Sequence, residues 1–139
     1  MIVLDTNVIS EMMRSRPDEA VVRWYKTFSR SLLFTTSINC AEVLAGIAMM
    51  AAGRKRAELA AEARTMFEIE FEGRILVFDE RAAEHYANIF AQRKRLGRRI
   101  DALDGQIAAV TRAHSMRLAT RNTNHFDDCG IHVINPWKD

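Results

Sequence analysis

The sequence predicts an α/β fold: one domain built on a mostly parallel central sheet of about five strands, with helices on both faces. Short apolar runs with the length of a buried strand alternate with longer segments whose apolar residues recur at helical spacing. The chain has 139 residues, which suits a single core and is too short for two well-buried ones. We therefore expect one domain over residues 1–139.

Five short segments have the composition of buried strands. They are Ile2 to Leu4, Leu32 to Thr36, Ile75 to Phe78, Leu118 to Thr120 and Val133 to Ile134. Strands that are joined through helices form right-handed crossovers, so neighbouring strands are expected to run parallel. Their carboxyl ends would then meet at one edge of the sheet, where ligands bind in folds of this class.

Four segments show the apolar spacing of amphipathic helices. Their buried faces are expected to be Val21, Trp24, Tyr25 and Phe28; Leu59, Ala63, Met66 and Phe67; Ala82, Tyr86, Ile89 and Phe90; and Leu103, Ile107 and Val110. Gly53 with Arg54 is expected to separate two helices of one hairpin, and Gly73 with Arg74 to precede the third strand. These helices account for the connections between the predicted strands.

Composition excludes several classes of protein. A hydrophobic share of 48% with 27% charged residues excludes disorder, and no apolar run reaches the ~20 residues of a membrane-spanning helix. The N-terminus lacks the basic and long apolar regions of a secretory signal, so we expect a cytoplasmic protein. The two cysteines, Cys40 and Cys129, exclude a disulfide scaffold and a multi-cysteine zinc site.

Arginine dominates the basic residues. Of the 20 lysines and arginines only four are lysine, and the net charge of +2 produces no overall field that would attract nucleic acid. Five of the seven residues from Arg93 to Arg99 are basic. This run has two interpretations: a nucleic-acid contact, or a solvated helix end that Gly97 terminates.

Three acids and an amide fall where the predicted elements meet. Asp5 directly follows the first strand, and Glu42 lies six residues beyond the second. Asp104 opens the helix that leads into the fourth strand, and Asn122 stands just beyond that strand. Because the ends of parallel strands share one edge of the sheet, these four side chains are expected to converge there.

Each of these residues could be an ordinary helix cap, since Asn39 with Glu42, and Asp101 with Asp104, resemble capping boxes. However, Glu42 and Asp104 lie inside their helices among apolar neighbours, and carboxylates gathered in such a place repel one another. A bound dication would relieve this repulsion, and oxygen ligands without His or Cys select Mg²⁺ or Mn²⁺. Because such sites suit phosphodiester hydrolysis, nuclease activity is the leading chemical hypothesis.

Five motifs resemble, in order, those of PIN-domain ribonucleases, and most closely the VapC and FitB toxins of bacterial toxin–antitoxin pairs. They are Leu4-Asp5-Thr6-Asn7-Val8-Ile9-Ser10, Ala41-Glu42-Val43, Asp104-Gly105-Gln106-Ile107-Ala108-Ala109, Ala119-Thr120-Arg121-Asn122 and Asn135-Pro136-Trp137. The resemblance extends from Ile2 to Trp137, nearly the whole chain.

The resemblance implies a catalytic set of four residues. The metal-binding acids would be Asp5, Glu42 and Asp104. The fourth family position, often Asp, falls on Asn122 in this chain. A neutral amide is a weaker ligand than a carboxylate, so this departure puts a tight second metal site in doubt.

Further polar residues surround these positions. Thr6, Ser37 and Thr120 would orient the carboxylates or water, or would simply cap helices and turns. Contacts with RNA are expected from Arg98, Arg99, Arg121 and His125. His125 could instead carry a proton, or be an ordinary loop residue.

The function that the resemblance implies is that of an Mg²⁺- or Mn²⁺-dependent endoribonuclease. It would hydrolyse phosphodiester bonds of single-stranded or loop RNA as the toxin of a toxin–antitoxin pair. A homodimer and an antitoxin are also implied, in a heterotetramer or larger complex that contacts DNA only through the antitoxin. The antitoxin would wrap an apolar groove and insert a basic side chain among the acids. Trp24, Tyr25 and Phe28, with Met12 and Met13, offer apolar surface for such a partner, or belong to the core.

Two other functions remain open. One is a PIN-like binding or regulatory module that Asn122 has weakened catalytically and that acts through its antitoxin–DNA complex. The other is a phosphoacceptor receiver domain, which needs paired acids after its first strand and a lysine after a late one, where this chain has Thr6 and Arg121. Glycine-rich phosphate loops, a Gly-x-Ser-x-Gly elbow and His-Glu-x-x-His zinc spacing are all missing from the sequence.

Overall fold

Five short strands form one parallel sheet in the computed structural model, which describes residues 1–139. The strands are β1 (Ile2–Leu4), β2 (Leu33–Thr36), β3 (Ile75–Leu76), β4 (Arg117–Ala119) and β5 (Val133–Ile134). Their order across the sheet is β3-β2-β1-β4-β5, and every neighbouring pair is parallel. All five predicted strands are confirmed, with ends that differ by at most two residues. Val77 and Phe78, predicted as strand, lie beyond the sheet and are exposed.

Six helices connect and cover the strands. They are α1 (Thr6–Met12), α2 (Glu19–Lys26), α3 (Ser37–Ala48), α4 (Arg54–Thr65), α5 (Glu80–Arg95) and α6 (Ala102–Ala113). The predicted hairpin around Gly53 is confirmed as α3 and α4, and α4 continues into a π-helical turn at Met66–Glu70. None of the six helices combines the length and the apolar character that crossing a membrane requires.

The core consists of two apolar clusters, one on each face of the sheet. Successive side chains of a strand point to opposite faces, and β1 shows this directly. Ile2 and Leu4 belong to one cluster and Val3 to the other, and all three are at most 1% exposed. Because β1 lies at the centre of the sheet, the residue that follows it emerges among the ends of all the neighbouring strands.

A close contact between α5 and α6 fixes the beginning of α6. Gly105 is buried, and a Cβ atom built on it would lie 2.8 Å from the Tyr86 Cε2 atom and 3.4 Å from the Ile100 Cγ2 atom. No side chain larger than hydrogen fits there without a shift of the Tyr86 ring. The neighbouring residue Asp104 is therefore held on a helix end that packs directly against α5.

Replacing Gly105 by Ala should destabilise the fold, although Ala is the better helix former. Overpacking costs about 1–3 kcal/mol, which we expect to exceed the ~1 kcal/mol by which Ala is favoured over Gly inside a helix. The matched control is Gly46→Ala in α3, where nothing lies within 4 Å of the added Cβ, and this change should stabilise the fold by about 0.5–1 kcal/mol. Urea unfolding measures both, and equal effects in the two variants would contradict the close contact.

Candidate active site

Asp5 is a buried carboxylate held by donors from three parts of the chain. Its Oδ1 atom accepts hydrogen bonds from the Thr6 backbone N–H at 2.8 Å and from the Asn39 side-chain amide at 3.0 Å. Its Oδ2 atom accepts from the Thr120 hydroxyl at 2.7 Å and from the Asn7 side-chain amide at 3.4 Å. The side chain is 5% exposed, so these four donors fix its position.

Burial raises the pKa of Asp5 above the usual value of an aspartate, and the hydrogen bonds from Thr120, Thr6 and Asn39 partly offset this rise. The same residue caps the N-terminus of α1, and its backbone N–H donates to the carbonyl of Ala119 at 2.9 Å. Asp5 thus joins the ends of β1 and β4 to the beginning of α1.

Glu42 lies on the second turn of α3, and its Oε1 atom accepts a hydrogen bond from the Thr6 hydroxyl at 2.8 Å. The Thr6 hydroxyl in turn accepts from the Asn39 amide at 3.0 Å. Burial raises the pKa of Glu42, and the charges of Asp5 and Asp104 raise it further against the hydrogen bond from Thr6. Asn39 therefore links two of the predicted site acids, because it donates to Asp5 and to the hydroxyl that holds Glu42.

Asp104 approaches the same place from the first turn of α6. Burial raises the pKa of Asp104 and the charge of Asp5 raises it further, while His125 lowers it. The His125 Nδ1 atom lies 3.3 Å from the Asp104 Oδ2 atom. Each acid of the predicted set thus lies within the electrostatic field of another.

The three carboxylates repel one another but do not form a ready-made ligand cage. No three His, Cys, Asp or Glu side chains are grouped closely enough to hold a metal ion by themselves. Glu42 is engaged by Thr6 and Asp104 by His125, so both carboxylates have partners of their own. Burial is the main cause of all three raised pKa values, and repulsion from neighbouring acids adds to it at Glu42 and Asp104.

Two predicted residues stand apart from the carboxylates. Ser37 begins α3 and donates no side-chain hydrogen bond to an acid, and Thr36 and Asn39 form the capping box of that helix. The capping box expected of Asn39 with Glu42 is therefore wrong, whereas the orienting role expected of Ser37 remains a prediction. Asn122 is exposed and approaches the site through its backbone N–H, which donates to the Thr120 hydroxyl at 3.1 Å.

The basic run from Arg93 to Arg99 forms the last turn of α5 and the residues that follow it, in agreement with its interpretation as a helix end. The helix stops at Arg95, and Gly97 follows with a φ of 69°. Arg93 is 5% exposed and donates to the carbonyls of Arg98, His125 and Asp127, which excludes it from contact with a nucleic acid.

Arg98 and Arg99 at the end of this run differ in their surroundings. The Arg98 guanidinium pairs with Asp127 at 3.0 Å and with Asp128 at 3.1 Å, so much of its charge is balanced within the chain. Arg99 is exposed and takes part in no ion pair. RNA contacts by these two arginines remain predictions.

The sequence did not single out two residues that hold the acids. Asn39 was interpreted as a helix cap, and Asn7 had no role of its own. The position of Asn7 could have indicated its role. It lies two residues after Asp5, and a side chain in the first turn of a helix can reach back to the carboxylate that precedes the helix. No local signal identifies Asn39, because it meets Asp5 through a contact between residues 34 positions apart.

The cysteines offer no nucleophile to this site. Both are free thiols, and burial raises the pKa of Cys40 to about 11 and raises that of Cys129 as well. Neither carries appreciable thiolate at neutral pH, so neither is suited to act as a nucleophile.

Residues 2–130 match the model of the PIN domain. The chain belongs to the PIN-domain family. This PIN domain is 41% identical over 146 residues to VapC ribonuclease Y4jK of Sinorhizobium fredii, an alignment that covers 99% of both proteins. It is also 41% identical over 139 residues to Toxin FitB of Neisseria gonorrhoeae, an alignment that covers both chains in full.

The fold of this PIN domain agrees closely with that of a solved relative. It superposes on a chain of the structure of FitAB bound to the IR36 DNA fragment with a TM-score of 0.92 and 42% identity, covering 99% of this chain and 96% of the other. The resemblance to VapC and FitB toxins that the sequence motifs carry is therefore confirmed.

Replacing Asp104 by Asn should stabilise this PIN domain when a chelator is present. The raised pKa means that Asp104 binds its proton more tightly in the folded state than in the unfolded state. Protonated Asp104 therefore adds to the free energy of unfolding at low pH, and this gain is lost as pH rises through the folded pKa. We expect Asp104→Asn to raise the melting temperature by roughly 1–4 °C at pH 7 and by almost nothing at about pH 3, below the reference pKa of an aspartate, where the carboxyl group is largely protonated in both states.

Differential scanning calorimetry in EDTA at the two pH values measures this effect. Glu84→Gln on the exposed side of α5 is the control, and it should change the melting temperature little at either pH. A lower melting temperature for Asp104→Asn at pH 7 would mean that the pairing with His125 outweighs the repulsion among the acids.

Proposed function

We propose that this PIN domain is a divalent-metal-dependent endoribonuclease that hydrolyses single-stranded or loop RNA as the toxin of a toxin–antitoxin pair. The observation that carries the proposal is the set of three carboxylates with raised pKa values, Asp5, Glu42 and Asp104, at one end of the sheet. Burying three carboxylates near one another is costly although Asp5 also caps α1, and a bound cation would offset this cost.

The donor chemistry of the site fits Mg²⁺ or Mn²⁺. Its free groups are carboxylate, amide and hydroxyl oxygens, which these cations prefer, and no thiolate approaches them. Mg²⁺ keeps several waters and is usually bound by only one or two carboxylates directly, so a closed three-carboxylate cage is not required. Asp5 and Asp104 would hold the ion, and Glu42 would bind it directly or through water. When bound, the ion lowers the pKa of an attacking water and offsets charge on the phosphate.

The side chains around the acids keep them in position and contact the RNA. Thr120 and Asn39 fix Asp5, and Thr6 fixes Glu42, so these two acids are held in place without a cation. His125 is 56% exposed beside Asp104, where its imidazole is accessible to a phosphate or to a leaving oxygen. Asn122 occupies the family's fourth position as a neutral group, which favours a single tightly held ion.

A groove beside the acids has the character expected of the antitoxin site. A cavity of about 1040 Å³ extends from Thr6 and Glu42 between α1, α3 and α4. Its apolar lining includes Met12, Met13, Ile47, Met50, Leu59 and Met66. Its four acids, Glu42, Glu58, Glu62 and Glu70, outnumber its two cations, Arg14 and Lys55. An antitoxin segment with an apolar face and a basic side chain would complement both the lining and the charge.

The sequence leaves two roles open for Met12, Met13, Trp24, Tyr25 and Phe28: contact with the antitoxin, or packing in the core. Met12 and Met13 line the groove and also pack against the core, whereas Tyr25 and Phe28 pack against the core without lining it. We propose that the antitoxin contacts the methionines. DNA would be contacted only through the antitoxin. The solved FitAB complex is itself bound to a DNA fragment.

Replacing Asp5 by Asn should reduce RNA cleavage by at least ~100-fold, because the loss of a direct ligand should exceed the 10–100-fold cost usual for groups that only support a ligand. The amide keeps the shape of the side chain, so the protein should remain folded by circular dichroism. Cleavage of a fluorophore-labelled mixed RNA pool with Mg²⁺ or Mn²⁺ measures the effect. EDTA should abolish cleavage by the unmodified protein, and either metal should restore it.

The control variant for Asp5→Asn is Asp18→Asn, which changes an acid at the start of α2 outside the site. It should cleave at the unmodified rate. Undiminished cleavage in chelator, or by folded Asp5→Asn, would refute the assignment. Absence of cleavage by the unmodified protein under every metal condition would instead favour the alternative of a catalytically weakened binding module.

The unbound protein should be a homodimer at micromolar concentration. Residues 48–52 supply small and methionine side chains for a close approach between two copies, and Met49 is 86% exposed. Further exposed apolar side chains on and around α5 are Val77, Phe78, Phe90, Leu96 and Leu103. Light scattering measures the mass directly, and a monomer at these concentrations would contradict the prediction.

A further inference from the structure

A second cleft contains both tryptophans of the chain. Trp24 on α2 and Trp137 near the C-terminus line a cavity of about 520 Å³, together with Arg23 and Lys138. This volume lies within the range of roughly 300–1,000 Å³ that is usual for sites of small ligands. Both indole rings are half-buried against the core and are partly open to solvent.

The parallel sheet brings this cleft to the same edge as the acids. The Thr120 backbone N–H donates to the carbonyl of Ile134 at 2.9 Å, which joins the end of β4 to the end of β5. On its other side β4 pairs with β1, which is followed by Asp5. Residues 135–139 therefore leave the sheet at the edge where the carboxylates converge.

Arg121 connects the acids with the cleft. Its backbone N–H donates to the Asn7 Oδ1 atom at 3.1 Å, and Asn7 donates in turn to Asp5. Its guanidinium carbon lies 4.9 Å from the centroid of the Trp137 ring, a cation–π contact. None of the ion pairs in the structure involves Arg121, so its charge remains available to an anion.

The C-terminal turn holds Trp137 in place before any ligand binds. The Trp137 backbone N–H donates to the Asn135 side chain at 3.0 Å. Asp139, the one acid in the lining of the cleft, accepts from the Asn135 backbone N–H at 2.8 Å and is thereby tied to the turn. Arg23 contacts Glu19 at 4.0 Å between two exposed side chains, an interaction of little strength. Around the tryptophans, the three cations Arg23, Arg121 and Lys138 outnumber the acids Asp139 and Glu19.

We propose that the cleft between Trp24 and Trp137 binds an unpaired nucleotide of the RNA strand, next to the phosphate that is cleaved, with Arg121 on the intervening backbone. This inference rests on the proposed ribonuclease function and assigns where its substrate extends. An aromatic ring offers a stacking face to any unpaired base, and nearby cations hold the backbone. A base inside a duplex has no exposed face, so the cleft selects single strands.

The charge of the cleft favours RNA over a segment of a protein partner. The antitoxin proposed above must carry a basic side chain for the acids, and a basic segment would meet repulsion from Arg23, Arg121 and Lys138. An RNA strand instead gains from all three cations. If each contacts one phosphate, the logarithm of affinity should fall with the logarithm of salt concentration at a slope near −2.

Intrinsic fluorescence tests the proposal directly, because both tryptophans line the cleft. The protein is kept in EDTA to prevent cleavage and is titrated with a single-stranded RNA dodecamer of mixed sequence. We expect saturable quenching with the salt dependence given above, and little quenching by the same strand annealed to its complement. Equal quenching by the duplex would overturn the proposal.

Substitutions then separate stacking from charge, with affinity measured by anisotropy of the labelled dodecamer. Trp137→Leu should weaken binding by about 5- to 150-fold, the range of one lost base–aromatic stack, while Trp137→Phe should retain most of the affinity. Arg121→Gln should reduce the magnitude of the salt slope by about 0.7. Its control is Arg117→Gln, the same charge change on the exposed first residue of the same strand, at the opposite edge of the sheet.

Unchanged affinity in folded Trp137→Leu and in Arg121→Gln would overturn the proposal. If Trp137→Leu fails to fold, Trp137→Phe and Arg121→Gln still decide it, since the latter alters an exposed side chain. Quenching by the antitoxin with none by RNA would assign the cleft to a protein and would likewise overturn it.

Cleavage assays with Mg²⁺ distinguish this inference from the proposed function. Trp137→Leu should raise KM for the dodecamer with kcat retained, since the stack would be made equally in the ground and transition states. If the unmodified protein cleaves RNA and Trp137→Leu leaves KM unchanged, the proposed RNA binding in the cleft is refuted and the proposed ribonuclease activity is not. Quenching by RNA without any cleavage would support the cleft and refute the ribonuclease.

Discussion

The burial of three carboxylates close to one another is the constraint on which the rest of this structure depends. Asp5, Glu42 and Asp104 are brought within one another's field by three different elements, and burial makes their charges costly. The fold meets this cost by attaching each acid to a rigid element: the end of the central strand, the second turn of α3 and the first turn of α6. The tight packing of Gly105 against Tyr86 belongs to the same arrangement, since it secures the helix end that carries Asp104.

Much of the fold follows from local patterns in the sequence. Apolar runs of strand length and helical spacing predict all five strands and four of the helices, because burial on both faces of a sheet leaves a simple periodic signal. Helix α1 was not predicted, since it begins directly after Asp5 and is only seven residues long. Val77 and Phe78 were misassigned because their exposure outside the sheet has no signature in an apolar run.

The candidate site was predictable in its acids and less so in their supports. The position of the acids at strand ends and helix starts already indicates a site, and the family motifs indicate the same three acids. The support of Asp5 by Asn39, and the burial of Arg93 against three carbonyls, depend on contacts between residues distant along the chain. A basic run gives no indication of which arginine turns inward. The role of Trp137 likewise emerges only when β5 is placed beside β4.

The groups that fix Asp5 are a backbone amide, a hydroxyl and two carboxamides, and all of them are electrically neutral. A lysine or arginine could hold the same carboxylate as firmly, but it would form a salt bridge that an incoming cation would have to break. Neutral donors hold the carboxylate in place without cancelling its charge. The negative charge of Asp5 therefore remains available to a cation that enters the site. A basic side chain from a partner could pair with the same carboxylate, so the neutral scaffold that would suit the proposed metal ion would also suit an inhibitor.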